Sequence, residues 1–149
     1  MAVSNAEYRT LAELRYRIRH FVQEGDAAAR RANLEPQQYL MLLTIRGLPA
    51  GSGSTIRTLA ERLALKHHST VELIDRLQAH GLVRRSRSHA DRRAVRVLLS
   101  ARGAKLLEQV ARQRLGELRA GGAALADAIY LLVHRKRSKR ANRNRNKNV

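Results

Sequence analysis

The sequence predicts a mostly α-helical chain carrying one small two-stranded β-hairpin, and three observations predict it. Apolar residues recur at helical intervals in six stretches. One segment, Leu82 to Leu99, instead places Val95 and Val97 two apart with Arg96 between them. Punctuation falls between these stretches, at Glu35-Pro36, Pro49 to Ser54, Leu65-Lys66, Gly81 and Gly121-Gly122.

Each element has its own signal. Ser4 followed by Glu7 has capping-box spacing, and Leu11, Leu14, Ile18, Phe21 and Val22 then repeat on one helical face. This predicts a first helix from about Asn5 to about Ala32, with Gly25 a weak point costing about 1 kcal/mol relative to Ala. Pro36 stands where a helix tolerates proline, in the first turn, and Tyr39, Leu40, Leu42 and Leu43 carry a second helix to Gly47. Ile56, Leu59, Ala60 and Leu63 predict a short helix. After a break at Leu65-Lys66, a further helix ends at Gly81, with Val71, Ile74 and Leu77 as its inner face. This is helix-turn-helix spacing. Two antiparallel strands with a charged tip form a wing, Ser100 is placed to cap a long helix through Leu118, and Gly121-Gly122 breaks it before Ala123 to Val133.

Composition narrows the function classes. A chain of 149 residues is the size of one domain. Thirty Lys and Arg against twelve Asp and Glu give a net charge of +18, which points to a polyanionic partner, with nucleic acid the best fit. No Asp or Glu follows Asp127, and the segment from His134 to Val149 holds eight of those positive charges, leaving +10 for the body. That tail, residues 135–149, lacks the apolar side chains to order itself and reads as disordered when free. With no cysteine, disulfides, thiolate chemistry and Cys-based metal sites are excluded. The apolar runs at Tyr39 to Leu43 and Ala128 to Val133 are far below the roughly 18 residues of a membrane span. Met1 to Thr10 has no signal-peptide pattern, so a cytoplasmic location is expected.

Site chemistry concentrates in the helix-turn-helix and wing. A helix fits the DNA major groove, and its first turns reach the base edges. Here those positions are Lys66, His67, His68, Ser69 and Thr70, all able to hydrogen-bond a base or phosphate. A purely structural alternative is that Ser69, with Glu72 three residues later, is a capping box worth about 1 kcal/mol. Arg84 to Arg96 contains six arginines and one acid, Asp91. On a hairpin beside a reading helix, Arg84, Arg85, Arg87, Arg92 and Arg93 can grip phosphates while one guanidinium, expected to be Arg92, enters the minor groove. Asp91 is then placed to brace Arg93 or Arg92. His67 and His68 point about 100° apart on a helix and make a poor chelate, so no metal site is expected. Neither a zinc-protease nor a phosphate-loop motif occurs, so neither an enzyme nor a bound cofactor is expected.

Over roughly residues 35 to 103 the chain resembles the MarR family of bacterial transcriptional regulators. The resemblance rests on an ordered series: Pro36-Gln37-Gln38-Tyr39; Ile56 with Leu59-Ala60-Glu61-Arg62-Leu63; Thr70-Val71; Asp75-Arg76-Leu77; Gly81-Leu82-Val83; and Asp91-Arg92-Arg93-Ala94 followed by Val95, Val97, Leu99 and Gly103. It implies a winged helix-turn-helix at 35–103, flanked by dimerisation helices at 1–34 and 104–134. A homodimer would present two reading helices about 34 Å apart to double-stranded DNA, as a repressor at a pseudo-palindromic operator. Family effectors are small anionic or phenolic molecules, which makes Tyr16, Arg17, His20, Tyr39 and Met41 a candidate effector pocket. Three departures stand out: Glu35 at the second helix entry, Arg57 where a small cap to the third helix is usual, and a short last helix that implies a shortened or rearranged dimer interface. Two alternatives remain at this level, a sequence-indifferent or architectural nucleic-acid binder and a protein-interaction module that kept the fold.

Overall fold

The computed structural model describes residues 2–87 and 94–145, the last eleven of these by their backbone alone. Six helices and two strands follow in the order α1 (Asn5–Arg31), α2 (Pro36–Arg46), α3 (Ile56–Leu63), α4 (His67–Ala79), β1 (Val83–Arg87), β2 (Val95–Leu99), α5 (Ala101–Gly121) and α6 (Ala123–Arg145). The expected capping box opens α1: the Ser4 backbone N–H and hydroxyl donate to Glu7 Oε2 at 2.8 and 2.7 Å, and Glu7 N–H donates back to Ser4 Oγ at 3.3 Å. At α2 the departure at Glu35 is functional as a cap, its backbone N–H donating to Gln38 Oε1 at 3.0 Å. Arg57 lies inside α3 and caps nothing. Thr55 does that, accepting from the Thr58 N–H at 3.2 Å.

Three helix ends share one device. A residue in the left-handed region follows the helix, its N–H returns to a carbonyl three residues back, and the N–H of the next residue reaches five back. Asn33 (φ 57), Ala64 (φ 52) and Gly81 (φ 70) take the left-handed position. The second bonds are Leu34 to Ala29, Leu65 to Ala60 and Leu82 to Leu77, at 3.0, 2.9 and 2.9 Å. In each case the residue turned inward is a leucine.

The chain divides into two compact units, residues 26–113 and residues 1–25 with 114–149. The core of the first contains Met41, Leu42, Leu59, Ile74, Leu77, Val97 and Val110, all 2 % exposed or less. Leu73 joins this core and Val71 is only half-buried, so the inner face of α4 is rotated from the expected Val71–Ile74–Leu77 stripe. Val83 pairs with Leu99, Arg85 with Val97 and Arg87 with Val95. A short third edge, missed by the sequence reading, lies along β2: Thr55 bridges Arg96, and Val97 N–H donates to Ser54 O at 2.9 Å. Ser54 Oγ adds a bond to Val97 O at 2.6 Å. Ser100 caps α5 as expected, accepting from Gly103 N–H at 2.9 Å while its hydroxyl donates to Gly81 O at 2.7 Å. Gly103 is required there, because a Cβ would stand 2.0 Å from Leu82 O.

In the second unit Arg114, 8 % exposed, donates to Phe21 O at 2.8 Å, pairs with Glu117 and lies over the Phe21 ring. Gly25 gives it room, with the guanidinium at 3.4 Å from where a Cβ would be. The break at Gly121-Gly122 falls as expected, but α6 continues to Arg145, well past Val133. Lys, Arg and Ala are strong helix formers and no Gly or Pro follows Gly122, so a helical backbone needs no packed core to extend here. Among the described residues, no helix is long and apolar enough to cross a membrane.

Candidate nucleic-acid interface

The helix expected to read DNA, α4, is delivered by the turn between α3 and α4. Ala64 reverses the chain, Leu65 is half-buried, and Lys66 in extended conformation (φ −69, ψ 153) becomes the residue preceding α4. The helix therefore starts at His67, and Ser69 is its third residue rather than its cap, which removes the capping-box alternative for Ser69 and Glu72. Lys66, His67 and His68 are exposed, and Ser69 is half-buried at the edge of the same face. Thr70 is a correction. It is 0 % exposed, and its Oγ1 donates to Lys66 O at 3.0 Å, so it faces the core and leaves the candidate contact set. Its polarity suggested an outward side chain, but an internal i to i−4 bond satisfies a buried hydroxyl equally well.

On the hairpin, strand alternation sorts the arginines. Residues 83, 85 and 87 share the face of Val95, Val97 and Leu99, which packs inward, whereas Arg84 faces the other way and is exposed. Arg85 therefore turns back onto α4, where Nη2 meets Asp75 Oδ1 at 2.6 Å and Nη1 meets Gln78 Oε1 at 2.5 Å. It braces the wing on the reading helix rather than extending toward a ligand. Arg87, near the tip, is exposed. Asp91, Arg92 and Arg93 lie outside the described residues. Within the described residues it is Asp75, on α4, that pairs with a wing arginine, Arg85. Sequence reasoning missed this pair because its members are ten residues apart on a helix and a strand. The signal that could have found it was an acid on the outward side of a helix preceding an arginine-rich strand. Exposed Arg76 on α4 and Arg96 on β2 add positive charge that the initial site set omitted. Arg96 packs its guanidinium beside Gly53, at 3.3 Å from where a Cβ would be.

The residues of the expected effector pocket belong to both units. Tyr39 (8 % exposed) and Met41 (0 %) are core residues of the 26–113 unit. Tyr16, Arg17 and His20 belong to the other unit, where they line a groove of about 180 Å³ with Phe21, Glu24 and Leu118. Tyr16 and His20 have ring centroids 4.5 Å apart, and Arg17 pairs with Glu13 at 2.6 Å. With Glu24 and Glu117 on its wall against Arg17, this groove carries more negative than positive charge.

Comparisons with known proteins agree with this architecture. Residues 32–94 match the family model described as MarR family. The HTH-type transcriptional regulator YsmB of Bacillus subtilis (strain 168) is 30 % identical over 113 residues, covering 73 % of this chain and 75 % of YsmB. Among solved structures, a MarR family protein from Bacillus stearothermophilus superposes with a TM-score of 0.69 at 23 % identity, covering 95 % of this chain and 98 % of that one. A mutant of MepR from S. aureus, solved bound to an oligodeoxyribonucleotide, gives 0.62 at 17 % identity over 86 % of this chain and 92 % of that one. A helix-turn-helix with its hairpin wing, matched by the family model and by a regulator of similar length, makes this chain a member of the MarR family of winged helix-turn-helix transcription regulators.

Proposed function

We propose that the protein is a sequence-specific repressor that binds a pseudo-palindromic operator as a homodimer in the cytoplasm. The observation that carries this reading is the bond of Arg85 to Asp75 and Gln78, which ties the first strand of the hairpin to the reading helix. Elements held together before binding can enter two grooves of one duplex at a lower ordering cost. His67, His68 and Lys66 then address the major groove, while Arg84 and Arg87 address phosphates. Arg92 or Arg93 remains our candidate for the minor groove, and the MepR complex with an oligodeoxyribonucleotide supports DNA as the partner. The basic residues after His134 add long-range attraction and salt dependence.

Dimerisation rests on the second unit. Tyr8, Leu11, Ile18, Phe21 and Val22 of α1 and Ile129, Tyr130, Leu131 and Val133 of α6 are large, apolar and 37–66 % exposed. So many exposed apolar side chains on two helices fit an interface. In the ligand-responsive part of the proposal, Tyr16, Arg17 and His20 hold the small molecule, and the surplus of carboxylates on their groove favours an aromatic over a strongly anionic one.

Competition binding tests the central reading. The protein should prefer a site selected from its host genome over random duplex by about 10³-fold or more at physiological salt. Affinity that follows only ionic strength and duplex length would instead identify a sequence-indifferent binder, the class that a charge of +18 also favours.

A further inference from the structure

Resting on the operator-reading role above, we propose that Glu72 selects a C·G pair in each half-site by accepting a hydrogen bond from the cytosine N4 amine. Successive helical residues are 100° apart. Buried Thr70, Leu73, Ile74 and Leu77 fix the inner face of α4, and the opposite line runs through His68, Glu72, Asp75 and Ala79, all exposed. Two acids therefore lie on the surface that must approach the duplex.

Structural reasons account for one of them. Asp75 is tied to Arg85 at 2.6 Å. Glu72 makes no ion pair among the described residues, although Arg76 follows one turn later on the same helix. As the sixth residue of α4, it also lies beyond the first turn, where an acid gains from the helix dipole. A carboxylate on this line with no ion pair among the described residues repels the phosphates of every duplex. Its benefit must come from contacts that only some duplexes offer.

The chemistry of that contact is restricted. An ionised carboxylate can only accept, and the major groove presents two donors, cytosine N4 and adenine N6. Adenine places its N7 acceptor next to N6, facing the second carboxylate oxygen. Cytosine has a C–H there, so the carboxylate fits cytosine better. Glu72 lies four residues after His68, about 6 Å along the helix, so its base pair lies one or two steps from the one His68 touches.

Selection from a randomised duplex pool by the full chain, its Glu72→Ala variant and its Glu72→Gln variant, at one salt concentration, tests the assignment. Glu72 is exposed, and thermal melting of each variant confirms that all three fold alike. The wild type should enrich cytosine at one position per half-site. Glu72→Ala should flatten that position by about fivefold or more, keep the other positions, and bind random duplex more tightly. Glu72→Gln should shift the position toward adenine, whose N6 and N7 a glutamine amide matches. An unchanged consensus in both variants, or equal loss at all positions, overturns the role of Glu72 while leaving operator reading intact. A wild type that enriches no sequence overturns the operator-reading role itself.

Discussion

A buried hydroxyl marks the inner face of α4. Thr70 and His68 are two residues apart and both polar, yet one is 0 % exposed and the other lies on the outward line. Thr70→Val removes only the bond to Lys66 O, a carbonyl that keeps the Thr70 N–H at 3.0 Å. Its cost in stability should stay below about 1 kcal/mol, with duplex affinity changed less than about twofold. His68→Ala should instead weaken operator binding about tenfold with the melting temperature nearly unchanged. Titration of both variants against one duplex checks the pair, and equal losses would return Thr70 to the interface. The sequence could not separate these two, because Lys66, His67, His68, Ser69 and Thr70 are all polar and only the rotation of the helix distinguishes them. That rotation is set by Leu73, which the periodicity reading passed over in favour of Val71.

Helix ends show the same limit at the scale of the element. The end of α4 was legible because Gly81 announces a left-handed residue. The equivalent positions after α1 and α3 are Asn33 and Ala64, and alanine gives no such signal. Ala64 is exposed at φ 52, a conformation that costs an L-residue about 1–2 kcal/mol. Ala64→Gly should therefore stabilise the protein by about 0.5–1 kcal/mol after glycine's greater unfolded-state entropy is subtracted, read as a higher denaturation midpoint. A fall in that midpoint would mean that the turn is not strained. The brace between α4 and β1 was illegible for another reason: it pairs a helix acid with a strand arginine, and no local pattern connects them. Because Asp75 is 59 % exposed, breaking the pair should cost under about 1 kcal/mol of stability. Duplex affinity should fall severalfold in Arg85→Ala and in Asp75→Ala, and the double variant should lose little more than either alone. Additive losses would show that Arg85 grips phosphate directly instead of holding the wing.

For the whole molecule, net charge is shared equally, +9 on each unit, but the elements proposed to meet DNA and the exposed apolar side chains divide by unit. The 26–113 unit carries the reading helix and the arginine hairpin, while the exposed apolar side chains cited for dimerisation lie on α1 and α6 in the other. The fold class was legible at this scale, since six periodic stretches and one hairpin became six helices and one hairpin. The extension of α6 to Arg145 was not, because the lack of apolar residues argues against a packed core but not against a single helix. The most direct test of the account is chemical footprinting of guanine N7 in the major groove on a selected duplex. Two protected blocks centred about one helical turn apart, or a multiple of it, on the same side of the duplex are expected. Protection without that periodicity, or confined to the backbone, would contradict a paired major-groove reader.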